Sequence, residues 1–172
     1  ISERKAAAEM LQEANERLLL LIERMPLACI LWGPDFTVSM WNPAAEATFG
    51  FTEEEMSGKL PYGTIVPEEV RPQVEVIWAR LLSGDSTAHS ENLNKTKKGN
   101  MISCEWYNTP LRNTSGEVLG VISMVQDISE RKSTEAELAK YRASLEKLVK
   151  ERTAQLEAAQ YELVQKEKLA VL

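Results

Sequence analysis

Hydrophobic and polar positions follow three rhythms along this chain, and each change of rhythm marks an element. From Ser2 to Met25 the residues are mostly Ala, Glu, Leu and Arg, with no Gly or Pro. Leu11, Ala14, Leu18, Leu21 and Met25 alternate spacings of three and four, which places them on one seam of a helix. Pro26 ends that helix, because proline lacks an amide hydrogen and pushes the residue before it out of the α region. A period of two then takes over. The apolar run Ala28 to Trp32, the turn Gly33-Pro34-Asp35 and the alternating stretch Phe36 to Trp41 predict a β-hairpin in which Phe36, Val38 and Met40 share one face.

Asn42-Pro43 is a helix start, with Asn42 as cap and Pro43 at the first position, where no donor is needed. Ala44 to Phe49 form a short helix stopped by Gly50, and Thr52-Glu53-Glu54-Glu55 is a capping box for a second one, ended by Gly58. Pro67-Glu68-Glu69 opens a longer helical region, whose regular part Pro72 delays by a turn. Val70, Val74, Ile77, Trp78 and Leu81 lie along its apolar side, and Gly84 closes it. Three strands follow at Thr87 to Thr96, Met101 to Leu111 and Glu117 to Asp127, joined by turns at Lys98-Gly99-Asn100 and Asn113-Thr114-Ser115-Gly116. In the last strand Ile122 and Met124 fall on one face and Val121 and Val125 on the other, so both faces need covering, with the Leu-rich N-terminal helix expected over part of one. Two strands, several helices and three strands predict an α+β fold: a five-stranded antiparallel sheet with inserted helices.

The final rhythm is helical again and runs without Gly or Pro from Ser129 to Leu172. Leu138, Tyr141, Leu145, Val149, Leu156, Ala159, Leu163 and Ala170 trace a seam, with Arg152 and Lys166 at two seam positions. The consecutive fours from Tyr141 to Leu145 to Val149 make a stutter, which locally unwinds a coiled coil. This helix opens with Ile128-Ser129-Glu130-Arg131-Lys132, a repeat of Ile1-Ser2-Glu3-Arg4-Lys5 about 127 residues earlier, close to the length of one domain plus its connecting helix. Together with the lack of an initiator Met, the repeat leads us to expect a piece of a tandem array. Three segments are expected: a helix over residues 1–25, a domain over 26–128 and a coiled-coil helix over 129–172.

Composition narrows the function. The chain has 172 residues, 44% of them hydrophobic, enough for one core but not two. A formal charge of −6 argues against a nucleic-acid surface, which needs clustered Lys and Arg. Cys29 and Cys104 are isolated in apolar segments and predict buried thiols in a reducing compartment. No apolar run approaches the ~20 residues of a membrane span.

Trp41-Asn42-Pro43-Ala44-Ala45-Glu46, followed by Phe49-Gly50-Phe51-Thr52-Glu53-Glu54-Glu55-Met56-Ser57-Gly58-Lys59, resembles the first half of a PAS sensor domain. Gly116 to Val121 and Asp127-Ile128-Ser129-Glu130-Arg131-Lys132 resemble its closing strand and exit motif, with Ser129 in place of the usual Thr. The resemblance covers roughly Ile22 to Lys132. Val149 to Ala159 and Lys166 to Leu172 are similar to the helix that precedes the phosphoacceptor histidine of bacterial sensor histidine kinases. The resemblance therefore implies a homodimeric, cytoplasmic input module, non-enzymatic itself, flanked in its parent by PAS and kinase domains. That parent, with any membrane anchor outside this piece, would phosphorylate its own histidine and then a response regulator. A ligand-free spacer or interaction module is the alternative class, and a cyclic-dinucleotide output is an alternative to the kinase.

No cofactor is predicted, and a small apolar or aromatic ligand is left open. Trp32, Trp78 and Trp106, with Met40 and Ile122, are the candidate pocket lining. His89 lies after the helix on which haem-binding PAS members carry their iron ligand, so an exposed edge-strand histidine is expected. The Asn-Cys-Arg context of the flavin branch is absent from Ala44 to Phe51. Glu53 to Glu55 and the lysines 95, 97 and 98 are expected to be solvated charge. Asp127, through Asp127-x-x-Glu130, is expected to cap the exit helix. By resemblance it also couples sheet to helix, together with Ile128 and Ser129. Leu11, Leu18, Leu21, Met25, Leu145, Val149, Leu156 and Leu163 are the expected dimer seams.

Overall fold

Two compact units make up the chain, one ending at Ser129 and the other running from Glu130 onward. The computed structural model describes residues 2–84, 86 and 88–172; Ile1, Asp85 and Thr87, the last an expected strand start, lie outside the described residues. The first unit contains α1 (Ser2–Glu23), β1 (Ala28–Trp32), β2 (Val38–Trp41), α2 (Pro43–Phe49), α3 (Glu53–Met56), α4 (Arg71–Ser83), β3 (Ala88–Lys95), β4 (Met101–Arg112) and β5 (Val118–Asp127). The second is the body of α5 (Ser129–Ala170), 42 residues with none buried.

The strands form one antiparallel sheet in the order β2-β1-β5-β4-β3, so the expected five-stranded α+β architecture is the one observed. The last strand in sequence sits at the centre. Its Val121, Ser123 and Val125 face inward and are buried, while Ile122 and Met124 face outward. Gly120 allows the close approach of β1: a Cβ there would lie 2.3 Å from the carbonyl oxygen of Trp32.

The hairpin departs from the expected alternation. Phe36 is not in the strand; it has φ 66° in the turn that its amide closes onto the Gly33 carbonyl at 3.1 Å. Leu31 pairs with Met40 but Trp32 with Val38, so one extra residue bulges from β2 and reverses the alternation. Val38 and Trp41 therefore both face the core, and Met40 faces outward.

The helices start where their caps direct. Asn42 accepts from the Ala45 amide with Pro43 at the first position of α2, and Gly50 closes that helix at φ 81°. Thr52 and Glu55 form the reciprocal capping box of α3. A turn at Pro67–Val70 precedes α4, which becomes regular only at Arg71 with Pro72 in its first turn. The core lies between the inner sheet face, these helices and the loop around Ile65, which is fully buried and whose carbonyl receives the Lys95 amide. Coverage of the outer face by α1 is slight: Leu11, Leu18 and Leu21 stay more than half exposed, and its last turn, through Leu19, Ile22 and Glu23, borders a shallow hollow that Met40 and Trp41 also line.

Candidate functional site

Where α4 crosses the inner face of the sheet, the core is left open by a cavity of about 40 Å³, counted as room for water centres. Its apolar wall is aromatic. Phe36 stacks on Trp78 of α4 at 4.0 Å between ring centres and meets Trp32 at 4.9 Å and Tyr62 at 5.5 Å. A left-handed backbone at a residue with a bulky side chain costs about 1–2 kcal/mol, and here it turns the Phe36 ring into the cavity. Val74, Ile77 and Leu81 of α4 complete that wall, with Ile65 and Val66 below.

The opposite wall is polar. Trp32 Nε1 donates to Ser123 Oγ at 2.8 Å, and Ser123 Oγ donates to Asn108 Oδ1 at 2.6 Å. Asn108 Nδ2 in turn donates to the Ala88 carbonyl at 3.3 Å. Trp106 Nε1 donates to Asn94 Oδ1 at 2.9 Å, and Asn94 Nδ2 to the Ile65 carbonyl at 2.9 Å. Between these two chains lies Asn92, whose Oδ1 is buried with no hydrogen-bond partner. Among the described residues no lining side chain is acidic or basic. Cys104, opposite Asn92 in the sheet, is fully buried, and burial first and the charge of Asp127 second push its thiol up to about 12.

Of the residues singled out from sequence, Trp32, Trp78 and Trp106 are brought together here. Met40 and Ile122 are not: the bulge in β2 and the parity of β5 turn both to the other face, which corrects their assignment to the pocket. Sequence reasoning missed Phe36, Ser90, Asn92, Asn108 and Ser123. The signal was there in part, because Ser90, Asn92 and Asn94 recur with a period of two in β3, but polar alternation on an edge strand reads as a solvent face. His89 is on that strand's outer side, with Nε2 at 3.0 Å from Glu105 Oε1 and its ring beside Tyr107. Lys97 is more than solvated charge: it pairs with Glu55 and its amide donates to the Phe49 carbonyl, tying the β3–β4 turn to α2 and α3. The Lys97 hydrogen bond holds the Glu55 carboxyl below its ordinary value.

Two joints connect the sheet to its flanking helices. At the incoming side the side chain of Asn42, a residue only 2% exposed, makes four hydrogen bonds. Its Oδ1 accepts from the amides of Cys29 at 2.8 Å and Ala45 at 2.9 Å, and its Nδ2 donates to the carbonyls of Ile22 at 3.1 Å and Leu27 at 3.0 Å. The sequence shows it as a cap; the fold makes it the pin for the end of α1. At the outgoing side Asp127 Oδ1 accepts from the Ser129 amide at 2.9 Å, two residues on, where the sequence pattern had pointed toward Glu130. Ser103 of β4 closes this joint from the sheet: its carbonyl accepts from the Ile128 amide at 2.8 Å and its amide donates to Ser129 Oγ at 2.9 Å. Ile128 is buried beneath. Met25 is half-buried. Leu145, Val149, Leu156 and Leu163 of α5 are about three-fifths exposed.

A family model described as "PAS fold" matches residues 22–133. No curated protein matches the chain. Among solved structures, the chain is similar to a PAS domain from Colwellia psychrerythraea, with 14% identity and a TM-score of 0.63 over 68% of this chain and 98% of that one. A sensory box histidine kinase/response regulator from Burkholderia thailandensis is 19% identical, with a TM-score of 0.54 over 76% of this chain and 98% of that one. An RNA-binding light-oxygen-voltage receptor is 19% identical, with a TM-score of 0.63, but only 37% of its own length is covered, against 75% of this chain.

Proposed function

This chain belongs to the PAS family, and on that premise we propose that it is the sensory and dimerisation module of a two-component sensor histidine kinase. It does no chemistry of its own. A change in the packing of the sheet against α4, around the aromatic cavity, passes through the Asp127–Ser129 joint into α5, and α5 carries it as a parallel coiled coil toward a kinase whose response regulator receives the phosphoryl group. The observation that carries this reading is α5 itself: a 42-residue helix, about 63 Å long, with no buried residue and an apolar seam. A helix of that length gains little from its own body and is stabilised by a partner helix along the seam. The stutter at Tyr141, Leu145 and Val149 supplies a segment where two registers lie close in energy. Among the described residues no helix is long and apolar enough to cross a membrane.

The test is oxidative cross-linking of single cysteines placed at Leu145, Val149 and Leu156, with Glu151 and Ala158 as off-seam controls. A homodimer links through the seam positions and not the controls. A monomer by light scattering at high concentration, or equal linking everywhere, overturns the reading. A second reading, a ligand-free spacer that relays from a preceding module, is favoured by the small volume of the cavity and by the aromatic stack that fills its apolar side.

A further inference from the structure

We infer that the cavity takes a small neutral molecule carrying an N–H or O–H donor, and that Asn92 Oδ1 is the acceptor that recognises it. This rests on the sensory reading of the cavity. Three observations converge. Asn92 is 9% exposed, and its Oδ1 is the buried side-chain atom left without a partner among the described residues. An orphaned acceptor costs about 1–3 kcal/mol, and native folds seldom leave one without a use. The neighbouring buried amides are matched: Asn108 on the same wall between Ser123 and Ala88, and Asn94, outside the lining, between Trp106 and Ile65. The unpaired buried acceptor is therefore one atom at one position, Asn92 Oδ1.

Charge and shape give the rest of the ligand. Among the described residues the lining holds no acidic or basic side chain, so a carboxylate or an ammonium would meet no counter-charge from them, at a cost far above that of one neutral hydrogen bond. Apart from Ser90, Asn92, Asn108 and Ser123 the lining is indole, phenyl, proline and branched aliphatic groups, which suit an apolar body. A water needs about 10–15 Å³ measured to its centre, so about 40 Å³ admits roughly three such positions. The class is thus a short alcohol, a small amide or a similarly small N–H compound.

The experiment uses the whole chain, labelled with ¹⁵N, and follows the indole N–H resonances of Trp32 and Trp106 during titration. The probes are 2-butanol, butanone and propionate, matched in size; the first donates and accepts, the second only accepts, and the third is charged. We expect 2-butanol to shift both indoles saturably, with an affinity roughly tenfold above that of butanone, and propionate to leave them unmoved. Asn92→Leu, or Asn92→Ala if the leucine variant does not fold, should bring 2-butanol and butanone to equal affinity. Equal affinity in the unaltered protein, binding of propionate, or a preference that survives loss of Asn92 overturns the assignment while leaving the sensory reading in place. If no probe shifts either indole, the ligand assignment falls and the ligand-free relay takes its place, while the dimer reading carried by α5 is tested separately by the cross-linking.

Discussion

Replacing Asn42 with Ala should cost about 3 kcal/mol, far more than a helix cap alone. The cap of α2 accounts for about 1 kcal/mol of this. The amide of Cys29 accounts for more, because Cys29 is 1% exposed and its N–H ends in the Asn42 carbonyl oxygen at 2.8 Å. The side chain there stands in for the strand partner that β2 stops supplying when Pro43 turns the chain into α2. An orphaned buried donor costs about 1–3 kcal/mol. The carbonyls of Ile22 and Leu27 add less, since both bonds are only part-buried. Urea unfolding at one fixed protein concentration measures the sum, with the midpoint falling and the slope unchanged. Asn42→Asp separates the two roles. It keeps both acceptor bonds but sets a carboxylate against the carbonyls of Ile22 and Leu27, so α2 stays capped while the last turn of α1 lets go. Hydrogen exchange should then quicken from Leu20 to Met25 and not in α2. A loss below about 1 kcal/mol for the Ala variant, or unchanged exchange at the end of α1 in the Asp variant, would refute the pin.

At the outgoing joint, Ser129→Ala removes the acceptor of the Ser103 amide, so that amide should exchange several-fold faster while Ser129→Thr restores its protection; an unchanged rate contradicts the clasp. Asp127→Ala should lower stability by about 1 kcal/mol, leave the sheet folded and, in a longer chain that includes the kinase, weaken stimulus dependence; normal stimulus dependence would count against the coupling role. For Cys104 the folded thiol titrates near 12 against an ordinary 9.0. Between those values the native state holds the proton and the unfolded state has lost it, so stability should be full below about pH 9 and fall as pH rises toward 12. The decline, read from thermal unfolding across that range, should be shallower in Cys104→Ala, and equal slopes would remove Cys104 as its source.

The sequence by itself determined the elements and their order, because their signals are local. Pro26 after a three-four seam, Asn42-Pro43, the Thr52-to-Glu55 box and the glycines at 50 and 84 act within a turn of themselves, and the structure starts and stops its helices there. The alternation in β5 showed two apolar faces, and the strand does lie at the centre of the sheet. What the sequence left open depended on how distant segments meet. One bulged residue in β2 sends Met40 outward and Trp41 inward, and no local pattern announces it. Phe36 looks like the first residue of a strand until its turn carries it across to Trp78. Asn92 looks like a surface residue of an edge strand until α4 and the Ile65 loop close over that face. Ser103 carries no signal at all, since its function arises only where β4 passes the start of α5. Backbone choices are made within a few residues and can be read along the chain. The cavity, its orphan acceptor and the two joints are made by contacts between residues far apart in sequence, and only the packed fold decides those.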